Sequence, residues 1–166
     1  VMISSLTARG SEVTLQALEL GAVDFIAKPR AENASLLQAY GEEIRDKIRA
    51  AKSAHLRRPQ AAATPAPARV ESPAAAVSSR VLTEKLIAIG ASTGGTEAIK
   101  EVIVRLPAEV PGIVIVQHMP EAFTPSFAKR LDSLGAIRVV ESKGGERIQP
   151  GHAYLAPGHS HLLIRK

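Results

Sequence analysis

From Leu56 to Arg80 the chain reads LRRPQAAATPAPARVESPAAAVSSR, with Pro59, Pro65, Pro67 and Pro73 set among alanine and serine. Proline breaks helices and removes ladder donors. Alanine and serine add too little apolar bulk for a core, and the run has no apolar period. It therefore predicts an extended, semi-stiff tether over residues 56–83. A length of 166 residues suits one ordinary domain or two small ones. The tether selects two parts, 1–55 and 84–166.

Composition narrows what these parts can do. Hydrophobic residues make up 45% and charged residues 22%, the globular range. Aromatics are only 3%, so Leu, Ile, Val and Ala must form the core. There is no cysteine, which excludes disulfide scaffolds, cysteine zinc sites and thiol catalysis. No apolar run approaches the roughly 20 residues of a membrane span. The start, VMISSLTARG, lacks the pattern of a signal peptide. The net charge of +5 sits mostly in the tether, away from any aromatic residue. Single-stranded nucleic acid is usually gripped by basic grooves with stacking rings, so a solvated basic linker is the better reading. The first residue is Val1, in what reads as the middle of a strand, which suggests an internal fragment.

Both parts alternate short apolar runs with amphipathic stretches. In the first, Val1–Ile3 and Ala22–Ala27 read as strands. Helices are expected from Ser11 to Gly21 and from Ser35 to Ala51, the latter with Leu37, Tyr40, Ile44 and Ile48 on one stripe. In the second, Leu86–Ile89, Ile113–Val116 and Ile137–Val140 read as strands. Thr96–Leu106 and Phe123–Leu134 read as helices. The Tyr154–Ala156 and His161–Ile164 runs, around Pro157-Gly158, suggest a hairpin. Strand alternating with helix predicts an α/β fold with parallel sheets.

The sharpest chemical feature is Gly90-Ala91-Ser92-Thr93-Gly94, which fits G-x-S-x-G between a strand and a helix. There a serine stands on a tight turn, and the helix N-terminus offers free N–H groups to an oxyanion. A phosphate-binding loop would need lysine where Thr96 stands, and a dinucleotide loop would need glycine where Ser92 stands. A merely structural glycine turn is the competing account. His118 tips the balance. It follows the next strand, and a right-handed crossover makes the two strands neighbours. Ser92 and His118 then stand at one sheet edge, within reach of a nucleophile–base pairing. His152, His159 and His161 form a weaker cluster without a carboxylate at ligand spacing, and they read as surface histidines.

Several longer strings carry a resemblance. VMISSLTARGSEVTLQALELGAVDFIAKP, LIAIGASTGG, VIVQHMP and PGHAYLAPGHSHL together resemble the chemotaxis response-regulator protein-glutamate methylesterase, the CheB family. The resemblance implies the C-terminal part of a flavodoxin-like receiver at 1–55. It implies the N-terminal part of a doubly wound, parallel-sheet methylesterase domain at 84–166. Ser92 would be the nucleophile and His118 the general base, with N–H groups at Thr93 and Gly94 in the oxyanion loop. Ser4, Lys28 and Phe25 would be the receiver's switch hydroxyl, lysine and aromatic.

By the same resemblance the protein is a cytoplasmic phosphoprotein of a two-component system. It would hydrolyse γ-glutamyl methyl esters on chemoreceptors, release methanol, and deamidate receptor glutamines. A histidine kinase would be the phosphodonor. No cofactor is needed for catalysis, while Mg²⁺ is expected at the receiver's phosphorylation site. Two departures stand out. The phosphoacceptor aspartate and the Mg²⁺ ligands would lie before Val1, and the triad aspartate after Lys166, so the fragment alone is expected to be nearly inactive. Asp132 matches no motif that would replace the latter. The alternative is a non-enzymatic response regulator whose second part is a binding module.

Overall fold

The computed structural model describes residues 1–4, 8–28, 34–54 and 85–165, with 8–9 and 34–39 described in backbone only. The tether at 56–83 lies outside them.

In the first part, β1 (Met2–Ser4) pairs in parallel with β2 (Phe25–Ala27). Between them runs α1 (Ala8–Glu19), ended by Gly21 at φ +107°. That positive φ suits glycine because L side chains rarely adopt it. Next comes α2 (Ala34–Lys52). Of its expected apolar stripe, Tyr40 and Ile44 are half-buried and Ile48 is 54% exposed. The Lys47 ammonium donates to the Phe25 carbonyl (2.6 Å) and pairs with Asp24 (3.3 Å).

The second part holds β3 (Leu86–Ala91), α3 (Gly95–Arg105), β4 (Gly112–Gln117), α4 (Thr124–Asp132), β5 (Arg138–Glu141) and β6 (His152–Leu155). The four strands form one parallel sheet in the order β3-β4-β6-β5. The expected hairpin is thus corrected. Only His152–Leu155 is a strand, it is parallel to both neighbours, and 161–164 is not strand. The reversal is made earlier, at 142–151, where Gly144, Gly145 and Gly151 take positive φ.

Helices α3 and α4 contact each other, while α3 also contacts β3 and α4 contacts β5. Ile87, Ile89 and Ala91 pack toward this core, and the alternate residues Leu86, Ala88 and Gly90 are exposed. Among the described residues, helices cover one face of the sheet. The parallel α/β expectation is met, and the second layer of a doubly wound fold is not formed here. Ile113, Ile115, Phe123, Leu131 and Leu155 are fully buried, each contributing about 1.5–3 kcal/mol. The cluster continues into the first part through Leu15, Leu18 and Phe25. The Phe25 and Phe123 rings meet at 4.5 Å. Arg130 donates two bonds to Glu19 across the same junction, at 2.7 and 2.9 Å.

Candidate active site at the carboxyl edge of the sheet

Strands β3 and β4 end level, with Ala91 opposite Gln117. Ser92 and His118 are the next residues on each, and the His118 N–H closes the ladder onto the Ala91 carbonyl (3.0 Å). The edge expected to join Ser92 and His118 is therefore formed, and both residues are exposed on it. No hydrogen bond links the Ser92 hydroxyl to the His118 ring.

The turn after Ser92 is shaped by glycine. Gly94 caps α3 at φ +75°, where a Cβ is strained. The Gly95 N–H bonds the Ser92 carbonyl (2.8 Å), and the N–H groups of Thr93 and Gly94 are spent in no backbone bond. Those donors and the start of α3 give the loop a positive electrostatic end. Glu97, in the first turn of α3, pairs with Lys100 (2.5 Å) on the flank.

Two further loops complete this edge. After β6, Ala156 bonds Ile115 (2.8 Å), and Gly158 lies so close to the next loop that a Cβ would strike the backbone of Glu121 and Met119. The Gly158 N–H donates to the buried Thr124 hydroxyl (3.3 Å), which donates to Glu141 at the end of β5 (2.5 Å). His159 follows at φ +59°, the one non-glycine residue with positive φ among those described.

Other candidates are placed elsewhere. His152 is half-buried, its Nδ1 3.0 Å from the Pro150 carbonyl, while His159 and His161 are exposed. Among the described residues no group of three His, Asp or Glu is placed to hold a metal. Asp132 accepts from the Val139 N–H (2.7 Å) and pairs with Arg138 (3.0 Å), so it braces the start of β5, away from His118. Ser4 ends β1, its hydroxyl 2.6 Å from that of Thr14. Lys28 is exposed, its N–H bonded to the Ser4 carbonyl (2.7 Å). Phe25 is buried against Phe123. No described helix is long and apolar enough to cross a membrane.

The segment that carries this edge, residues 87–166, matches the family described as CheB methylesterase. The whole chain is similar to curated relatives. It is 58% identical over 166 residues to the protein-glutamate methylesterase/protein-glutamine glutaminase of Nitrosomonas europaea, covering 100% of this chain and 46% of that relative. A protein of the same description, numbered 2, from Pseudomonas aeruginosa is 59% identical with the same coverage. The chain thus spans about 46% of the length of these relatives. The crystal structure of the Thermotoga maritima CheB methylesterase catalytic domain is 44% identical, covering 49% of this chain and 44% of that one, with a TM-score of 0.48. The family match begins at Ile87 and so says nothing of residues 1–54.

One participant carries no sequence signal beyond its place before His118. Gln117 is buried, and its amide donates to the Ser92 carbonyl (2.9 Å). Nor does any motif mark the Thr124–Glu141 pair that holds the loop after β6.

Proposed function

We propose that this chain carries the nucleophile and the base of a cytoplasmic protein-glutamate methylesterase that also deamidates receptor glutamines. The observation that carries the reading is the placement of Ser92 and His118 one residue beyond the paired ends of neighbouring parallel strands. The activity for which the relatives are named supports it. The substrate is a γ-glutamyl methyl ester on a chemoreceptor.

His118 takes the proton from the Ser92 hydroxyl, and the freed oxygen attacks the ester carbonyl. The Thr93 and Gly94 N–H groups, unspent in the resting turn, hold the oxyanion that forms. His118 returns the proton to the departing methoxide, and methanol leaves. Water, deprotonated by the same imidazole, then attacks the acyl-serine and releases the glutamate carboxyl. With a side-chain amide the leaving group is ammonia and the product is again glutamate. None of the described carboxylates contacts the His118 ring. An orienting acid is worth about 10⁴ in rate in serine triads, and in this reading it belongs to the longer protein.

Residues 1–54 are read as receiver sequence that restrains this edge. Support comes from Phe25 buried on Phe123 and from α1 packed on α3 and α4. A histidine kinase would phosphorylate the receiver. The Mg²⁺ site expected by resemblance is not formed by the described residues, and no step here uses the ion.

The test uses the full reading frame containing this chain and a peptide bearing a glutamate γ-methyl ester. Ser92→Ala and His118→Gln should each lower hydrolysis by at least about 10³-fold, with the circular dichroism spectrum unchanged. Equal hydrolysis by parent and Ser92→Ala protein would overturn the reading.

A further inference from the structure

We propose that Gln117 is a positioning residue for Ser92, a strut between the strand that carries the base and the turn that carries the nucleophile. The proposal rests on the serine reading above and adds a residue to it.

Gln117 is the last residue of β4 and is 8% exposed. Its Nε2 donates to the Ser92 carbonyl (2.9 Å) and lies 3.3 Å from the His118 carbonyl. The Ser92 carbonyl also accepts the Gly95 N–H (2.8 Å). It is thus held from two sides, by its own turn and by the neighbouring strand. Fixing that carbonyl fixes the peptide plane that leads to the Thr93 and Gly94 N–H groups. The same restraint limits where the Ser92 hydroxyl can point.

The space around the amide is tailored to it. A Cβ on Gly95 would collide with Gln117 Oε1 and come within 2.6 Å of the Ala91 Cβ. Glycine at 95 therefore serves the amide as well as the turn. The amide cannot turn over, because its oxygen would then face the Ser92 carbonyl, acceptor against acceptor.

The decisive observation is the other end of the side chain. Gln117 Oε1 is buried and has no hydrogen-bond partner, and it is the one such side-chain atom among the described residues. An unsatisfied buried acceptor destabilises a fold, whereas an apolar side chain of the same shape leaves nothing unsatisfied. A glutamine kept only to fill this corner would be a poor choice. What an apolar residue cannot supply is the donor on the Ser92 carbonyl.

The experiment measures inactivation by a fluorophosphonate in the full reading frame containing this chain. The serine oxygen bonds to phosphorus, fluoride leaves, and the serine proton goes to the base. Gln117→Met keeps the length and removes both donor and acceptor. Its maximal inactivation rate should fall by about 10²-fold, the usual cost of misplacing a reacting group by an ångström. Its half-saturating probe concentration should stay unchanged, and its Tm should be equal or higher. Gln117→Glu restores a donor only when protonated. Its rate relative to the parent at the same pH should therefore rise as pH falls. Parental rates in Gln117→Met would overturn the proposal. So would a lower Tm with fewer reactive molecules but an unchanged rate for each, the mark of a core filler. A parent protein that is not labelled at Ser92 would sink the serine reading itself, and the strut with it. Normal labelling in both parent and variant would sink the strut alone.

Discussion

Residues 85–165 bury Ile113, Ile115, Phe123, Leu131 and Leu155 completely. Residues 1–54 bury Leu15, Leu18, Phe25 and Ile26, and both parts leave some large apolar side chains in solvent, Leu20 and Ile48 in the first, Val116 and Leu163 in the second. Both parts use short parallel strands and amphipathic helices. The difference is strand number. Four parallel strands with two helices laid across them enclose an apolar layer. The first part contributes two described strands of three residues each. The first part packs on the second through Phe25 on Phe123 and α1 on α3 and α4. A chain can thus read as two tethered units and still share one core. In this reading, chemistry is placed on residues 85–165 and control on residues 1–54.

Truncating the shared aromatic pair gives the largest expected effect. Phe123→Ala should cost about 3–5 kcal/mol and deprotect amides in both parts, followed by hydrogen exchange. Phe25→Ala removes the other ring and should deprotect β1, β2 and α1 while β4 stays protected. Equal deprotection of β4 in both variants would break the distinction between the parts. A smaller effect is expected at the ion pair of the same junction. The Glu19 carboxylate, by its hydrogen bonds, raises the Arg130 guanidinium above its usual value. The pair is partly exposed, so Arg130→Ala should cost no more than about 1 kcal/mol, and the loss should shrink in high salt. A cost independent of salt would mean that the Arg130 stem packs more than it pairs.

The smallest effect lies in the turn before β6. The Lys143 N–H bonds the Glu146 carboxylate (2.5 Å) and holds it below the usual carboxyl range. The folded value is lower than the unfolded one. The stabilisation is therefore present above the ordinary carboxylate range and lost as pH falls through the lowered value. Glu146→Gln should lower Tm slightly at neutral pH, and the gap to the parent should close in acid. A gap that widens in acid would show that the carboxylate is not the group responsible.

The sequence made the parallel α/β pattern legible because β-branched runs such as Ile113–Val116 and the punctuating glycines act locally. It also placed Ser92 and His118, since a βαβ crossover leaves little choice about neighbouring strands. Three features escaped it for non-local reasons. Strand β6 looked like half of a hairpin because Pro157-Gly158 resembles a hairpin turn, whereas strand direction was decided by the glycines at 144, 145 and 151. The α2 stripe was a correct local pattern, but Ile48 finds no cover among the described residues. Gln117 escaped because an amide beside a histidine signals nothing until the Ser92 turn folds over it.

The most direct test of the account is methanol release from methylated chemoreceptor membranes by the full reading frame containing this chain, with Ser92→Ala beside it. The account predicts release by the parent protein and almost none by the variant. Release that persists in Ser92→Ala, or none from the phosphorylated parent, would contradict it and favour a binding module at this edge.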